Sequence, residues 1–229
     1  MSHELKRPSF SKERVLKLIE KEYGFSGELR ELPSYRDQNF YLKLKNGEEY
    51  IIKIANQIEK RETIEFQNAV MNHLTSKEQL YISPKVIKSK SNKLITEVQE
   101  NGNIHLFRVI TYVPGKVLAK INPHHHILLK KLGEFLGHLS NSLSDFDHHS
   151  PNPDFDWDLK KSYSVVNKYK KFIFDAKKVA ILEYFSAEFL ENTNPNLQSL
   201  RSSVIHNDAN EQNVIVNYKE IPFCSFASL

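Results

Sequence analysis

The hydrophobic period of this chain changes once, at Pro114-Gly115, and that change limits the folds open to it. Before it, apolar residues alternate. Phe40, Leu42 and Leu44 interleave with Tyr41, Lys43 and Lys45, Asn46-Gly47 signals a tight turn, and Tyr50-Ile51-Ile52-Lys53-Ile54 returns as the second arm of a hairpin. Segments 94–98 and 106–112 read as two further strands around a turn at Asn101-Gly102. Two helices punctuate this half. One is capped by Ser11, carries Val15, Leu16, Leu18, Ile19 and Tyr23, and ends at Gly24; the other covers 63–74. After Pro114-Gly115 the spacing becomes helical. Ile127, Leu128, Leu132, Phe135, Leu136, Leu139 and Leu143 form one stripe, and 159–172 and 176–190 are helical as well. A strand-rich half followed by a helical half predicts an α+β fold in two lobes, 1–112 and 113–229.

Composition removes several function classes. With 40% hydrophobic and 26% charged residues the chain is globular, and seven glycines in 229 residues argue against a glycine-rich phosphate loop of the P-loop or dinucleotide type. The net charge of +4 is spread among acidic neighbours, as in Lys12-Glu13-Arg14 and Glu59-Lys60-Arg61-Glu62. Nucleic acid is therefore not an expected partner, because binding it needs clustered basic charge. The one cysteine, Cys224, excludes an internal disulfide and fits a reducing compartment. The first ten residues carry no apolar signal region, and no run approaches the ~18 apolar residues of a membrane helix. A cytoplasmic protein without a membrane partner is expected.

The sharpest chemical signal is Val204-Ile205-His206-Asn207-Asp208-Ala209-Asn210-Glu211-Gln212-Asn213-Val214-Ile215-Val216, a polar loop between β-branched runs. Asp208 and Asn213 have the spacing of a kinase catalytic loop. A carboxylate there accepts the proton of an attacking hydroxyl, an amide oxygen five residues on holds Mg²⁺, and the histidine keeps the loop in shape. A polar turn between strands explains the same residues more blandly, so the loop gains weight from Lys53. That lysine sits inside an apolar strand, where a kinase places the lysine that bridges the α- and β-phosphates. Glu65 is the candidate helix glutamate to hold it, with Glu62 as the fallback.

The order of these parts resembles the aminoglycoside-phosphotransferase superfamily, which shares the bilobal protein-kinase-like fold. Leu32-Pro33-Ser34-Tyr35-Arg36-Asp37-Gln38-Asn39-Phe40-Tyr41-Leu42 is similar to the nucleotide-loop region of its hydroxylysine-kinase-like branch, which includes phosphotransferase domains fused to aminotransferases. Ile64-Glu65-Phe66-Gln67-Asn68, Thr111-Tyr112-Val113-Pro114-Gly115 and Phe155-Asp156-Trp157-Asp158-Leu159 resemble that branch too. The resemblance implies an antiparallel-sheet N-terminal lobe, a helical C-terminal lobe, and transfer of the γ-phosphate of ATP or GTP, with Mg²⁺, to a hydroxyl of a small cationic acceptor such as hydroxylysine or an aminoglycoside. It implies that Lys53 contacts phosphate and Glu65 orients it, that Asp208 is the base, that His206 shapes the loop, and that Asn213, with Asp208, serves the metal. It further implies that Ser34 to Asn39 cover the phosphates and that Thr111, Tyr112 and Val113 form the hinge against adenine.

One departure qualifies this reading. Family members follow the catalytic loop with a strand and an Asp-Phe-Gly type turn whose aspartate binds metal, whereas no aspartate follows Asp208 here. The expectation is a C-terminally truncated chain with an incomplete second lobe, and the competing function is an inactive fragment or pseudokinase that at most binds nucleotide. Other signals read as structural. Consecutive His124, His125 and His126 cannot share one ion on a helix, Asp145, Asp147, His148 and His149 form a polar loop, and Trp157 anchors a core. Asp156 and Asp158 are secondary candidates for a cationic acceptor.

Overall fold

In the computed structural model, which describes residues 7–77, 81–148 and 158–217, the first helix is closed at both ends by local chemistry. The Ser11 hydroxyl accepts from the Arg14 N–H at 3.1 Å, and Gly24, left-handed at φ 74°, ends α1 (Lys12–Tyr23). Val15, Leu18, Ile19 and Tyr23 of α1 are buried in one cluster with Phe40, Leu42, Ile52, Ile54, Phe107 and Val109 of the sheet. Each such side chain removed from water contributes about 1.5–3 kcal/mol before the entropy of ordering is counted.

The sheet is antiparallel and six-stranded. Its strands are β1 (Gly27–Leu32), β2 (Gln38–Leu44), β3 (Glu49–Ile54), β4 (Val86–Ile87), β5 (Thr96–Glu100) and β6 (Asn103–Thr111). They run β1-β2-β3-β6-β4, with β5 also paired to β6. The two turns expected from Asn-Gly pairs both form. Gly47 has φ 91°, while Asn101 and Gly102, at φ 50° and 78°, join β5 to β6 with Glu100 opposite Asn103. The last hairpin extends further toward its turn than the apolar run suggests, because backbone pairing continues through Gln99 and Ile104. Strand β1 has no counterpart in the sequence reading. It alternates Leu29 with charged Glu28 and Arg30, as suits a strand at the sheet's edge. Gly27 is required there, since a Cβ would lie 2.0 Å from the Lys43 carbonyl oxygen.

Helix α2 (Arg61–Ser76) buries Val70 and Leu74 in a second cluster with Phe135, Leu139 and Leu143, which lie on and just after α3 (His126–Ser142), and with Val214 and Val216. Strands β7 (Lys116–Val117) and β8 (Ile215–Val216) pair antiparallel and bring the 204–217 segment to the end of the sheet's last long strand. Gly115 permits the approach: at φ 154° it has room for no Cβ, which would fall 2.5 Å from Ile215 Cγ2 and 2.7 Å from the Val216 oxygen.

The chain divides into two compact units, one of residues 1–150 and 204–229, the other of 151–203. The lobe junction expected at residue 113 falls inside the first. In the second, the expected helix 159–172 is three short pieces, with α4 (Ser162–Tyr169) between 3₁₀ turns at Leu159–Lys161 and Lys170–Phe172. Helix α5 (Ala176–Glu188) starts at Asp175, whose carboxylate accepts from the Lys177 and Lys178 N–H groups. Among the described residues no helix is long and apolar enough to cross a membrane.

Candidate active site

Antiparallel register places Asn39 opposite Lys53, and Lys53 opposite Arg108, in a row across β2, β3 and β6. Because directly opposed residues share a face, these three polar groups lie on the side away from the Phe40, Ile52 and Val109 core. Lys53 is 7% exposed and Arg108 4%. Burial, reinforced by the neighbouring Arg108 charge, presses the Lys53 ammonium down to about 7, while Asp37 and Glu59 pull the other way. Burial also lowers Arg108, to about 10, so it keeps its charge at neutral pH.

The carboxylates around this row are held by other bonds as well. Asp37 Oδ1 accepts from the Asn56 backbone at 3.1 Å and its side chain at 3.0 Å, and Glu59 lies 3.9 Å from Arg36. Asn39 donates to Ser34 Oγ at 3.2 Å, which ties the segment after β1 to the lysine row. Glu65 is elsewhere. Its ion pair is to Arg61, one turn earlier at 3.8 Å, and it borders a cleft with Glu22, Lys93, Thr96 and Glu97; Glu62 is exposed. The helix groups that reach the row are amides: Arg108 donates to Asn68 Oδ1 at 2.6 Å and to Gln67 Oε1 at 2.5 Å. Sequence reasoning passed over Arg108, although it carries the same signal as Lys53, a charge inside an apolar strand, Leu106-Phe107-Arg108-Val109-Ile110.

The expected hinge follows β6. Thr111 N–H donates to the Lys85 oxygen at 2.9 Å and Tyr112 N–H to the Glu49 oxygen at 3.0 Å, whereas Val113, buried at 4%, makes no such backbone bond among the described residues. Tyr112 packs edge-on against Tyr41, whose hydroxyl donates to Glu49.

The 204–217 loop is built around Asp208. Its N–H donates to His206 Nδ1 at 3.2 Å, and the intervening Asn207 turns left-handed at φ 61°, which asparagine tolerates. Asn210 donates to Asp208 Oδ1 and Asn213 to Oδ2, each at 2.7 Å, and Asn213 also reaches the Asp208 backbone oxygen at 2.9 Å. The loop is anchored from outside by Ala119 N–H on the Glu211 oxygen and Leu118 N–H on the Val214 oxygen. His206, Asp208 and Asn213 therefore form one cluster and Asn39, Lys53 and Arg108 another. Gln67 borders both, since it accepts from Arg108 and lines a small apolar cavity with Val204, Ile205 and His206. Asp208 and Asn213 offer adjacent oxygen donors, the chemistry a hard divalent cation takes, although no group of three His, Cys, Asp or Glu stands together among the described residues.

The remaining sequence signals are structural or fall elsewhere. His124 Nε2 bonds the Leu118 oxygen, and Asp145 bridges His73 and Lys77 of the second helix region. Asp158 caps a 3₁₀ turn through Lys160 N–H. Asp156, Trp157 and the stretch 218–229, whose sequence holds no aspartate, lie outside the described residues.

Residues 28–224 match the phosphotransferase enzyme family. The chain is 28% identical to the hydroxylysine kinase of Mus musculus, over 92% of this chain and 60% of that protein, so it spans about 60% of the length of such relatives. Among solved structures it is similar to the amicoumacin kinase hAmiN in complex with AMP-PNP, Ca²⁺ and Ami, at TM-score 0.69 and 16% identity over 96% of this chain and 64% of that one. It is also similar to a microcompartment-associated aminopropanol kinase, at TM-score 0.65 and 14% identity over 93% and 68%. The fold is thus the kinase-like combination of an antiparallel sheet and a helical region.

Proposed function

Because the chain belongs to the phosphotransferase enzyme family, we propose that it carries the nucleotide site and catalytic loop of a small-molecule kinase, which moves the γ-phosphate of ATP to a hydroxyl of an amine-bearing acceptor such as hydroxylysine. The observation that carries this reading is the fixation of Asp208 by Asn213 in a loop whose histidine holds the Asp208 N–H. In the proposed reaction the Asp208 carboxylate accepts the proton of the acceptor hydroxyl as that oxygen bonds the γ-phosphorus. The bond to the bridging oxygen breaks and ADP leaves. The two amides that donate to Asp208 fix its orientation, and an oriented base removes part of the entropic cost of the step.

Lys53 meets the α- and β-phosphates from the sheet, and Ser34 to Asn39 lie over them. Val113 offers its backbone to adenine, because the N–H groups of Thr111 and Tyr112 are already engaged. Asp208 and Asn213 would hold the divalent cation, for which Mg²⁺ is our choice; when bound it neutralises charge on the phosphates. Glu65 has no part in this scheme, since its carboxylate pairs with Arg61. The two-lobe division at residue 113, the cationic acceptor and a cytoplasmic setting belong to the same proposal.

Two measurements test it. Mg-ATP at about 100 times its Kd stabilises the chain by about 2.7 kcal/mol in thermal unfolding, and Lys53→Ala removes that shift. Mg-ATP-dependent phosphorylation of hydroxylysine falls about 10²–10⁴-fold in Asp208→Asn while the ATP shift persists. Turnover unchanged in Asp208→Asn removes the base assignment, and an ATP shift without turnover in the unmodified chain favours a nucleotide-binding protein.

A further inference from the structure

Resting on the phosphate role proposed for Lys53, we propose that Arg108 is a positioning residue which, clamped by Gln67 and Asn68 of α2, aligns Lys53 for its anionic ligand and links that row to the catalytic loop.

Four observations carry this. First, Arg108 stands directly opposite Lys53 in the β3–β6 register, and both are nearly inaccessible to water. Two buried like charges side by side repel, so the position of each depends on the groups that hold the other. Second, the guanidinium engages successive residues of one helix through two separate nitrogens, Nη1 to Asn68 and Nη2 to Gln67. A planar fork on two adjacent residues fixes the rotation of α2 as well as its height above the strands, which a lysine ammonium could not do.

Third, the two acceptors that α2 supplies are neutral. A carboxylate at 68 would satisfy Arg108 and leave no spare donor, whereas Asn68 keeps its Nδ2 buried without a partner among the described residues. An orphaned buried donor costs stability, of order 1–3 kcal/mol. The amide, unlike a carboxylate, adds no negative charge from α2 to the row. Fourth, Gln67 borders the cavity lined by His206, which in turn accepts from the Asp208 N–H. Gln67 thus stands between Arg108 and the loop, one side chain bordering both.

Among the described residues the charged groups that act on Lys53 are Arg108 from β6, Asp37 from the segment before β2, and Glu59 from the segment before α2; β2 and α2 contribute the amides Asn39, Gln67 and Asn68 to the row. Arg108 opposes the Lys53 charge and the carboxylates favour it. Its removal therefore moves the Lys53 titration to higher pH, which reports the electrostatic contact between the two groups; the Mg-ATP affinity reports positioning.

The test follows two properties in the full chain. One is the Lys53 titration, seen through the Cε resonance of labelled lysine and assigned with Lys53→Arg. The other is Mg-ATP affinity from thermal unfolding. Arg108→Met raises the titration midpoint and weakens Mg-ATP at least tenfold. Arg108→Lys keeps the midpoint close to that of the unmodified chain but weakens Mg-ATP, because the fork on α2 is lost. Gln67→Ala keeps the midpoint and weakens binding less. A folded Arg108→Met with an unmoved midpoint and affinity within twofold overturns the inference. If that variant does not fold, Arg108→Lys and Gln67→Ala with undiminished affinity overturn it instead. Should the unmodified chain not bind Mg-ATP, the nucleotide reading fails on its own. The titration then still decides the Arg108–Lys53 half, and an unmoved midpoint rejects it.

Discussion

The sheet-bearing unit and the 151–203 unit have similar proportions of apolar residues in their sequences and use them differently. In the first, Phe40, Phe107, Ile52 and Val109 are fully buried between α1 and the strands. In the second, no described residue is buried, and Phe172, Phe174, Ile181, Tyr184 and Phe185 are more than half exposed, Phe174 at 95%. Helix α5 nevertheless forms. Its capping aspartate and helix-forming residues are local signals, and they suffice for the hydrogen-bond pattern without a core. Its apolar residues run around the helix instead of along one stripe, the pattern of a helix meant to be covered on several sides. Helical spacing thus predicts an element, while burial requires partners that spacing does not specify.

The contrast is sharpened most by paired truncations. Phe107→Ala, at 0% exposure, lowers unfolding free energy by about 3–5 kcal/mol, the cost of lost transfer energy plus a cavity. Phe174→Ala changes it by less than about 0.5 kcal/mol, since the ring is already in water. Urea unfolding of the two variants measures both. A loss above about 1 kcal/mol in Phe174→Ala would break the comparison, because it would mean that the ring is covered in solution.

The same division separates what was legible in the sequence from what was not. The Ser11 and Gly24 caps and both Asn-Gly hairpins depend on residues close in the chain, and each forms where expected; the hydrogen bonds between Asn213 and Asp208 are local in the same way. Strand β1 escaped notice because its pairing with β2, more than the apolar content of Gly27–Leu32, makes it a strand. Arg108 was missed for a related reason: that it opposes Lys53 follows from register between strands some 50 residues apart. Glu65 shows the limit of reading by element alone: it lies three residues from Asn68, on the same side of α2, yet its carboxylate pairs with Arg61 at 3.8 Å, and helical spacing does not choose between such partners.

A smaller effect tests the comparison inside the packed unit. Lys53, buried and beside Arg108, has its ammonium lowered from 10.5 to about 7. Between those values the unfolded chain holds a proton that the folded chain has released, so this group makes stability rise with pH across that window. Below about 7 the folded state carries the buried charge at full cost. Lys53→Met removes the cost: it raises Tm at pH 6, raises it less at pH 9, and has no effect through this group above the unfolded value. Lys170 is the control from the helical unit. It pairs with Glu183 at 3.0 Å on the surface, and Lys170→Met shifts stability by less than about 1 kcal/mol with no comparable dependence on pH. Adding Mg-ATP reverses the order at the first site only, as the phosphates stabilise the Lys53 chain and leave the methionine variant unmoved. A methionine variant less stable than its parent at pH 6 would instead show that Asp37 and Glu59 fully compensate the buried charge. The lysine would then be a structural cation of the sheet, with no stability given up to hold it ready for a ligand.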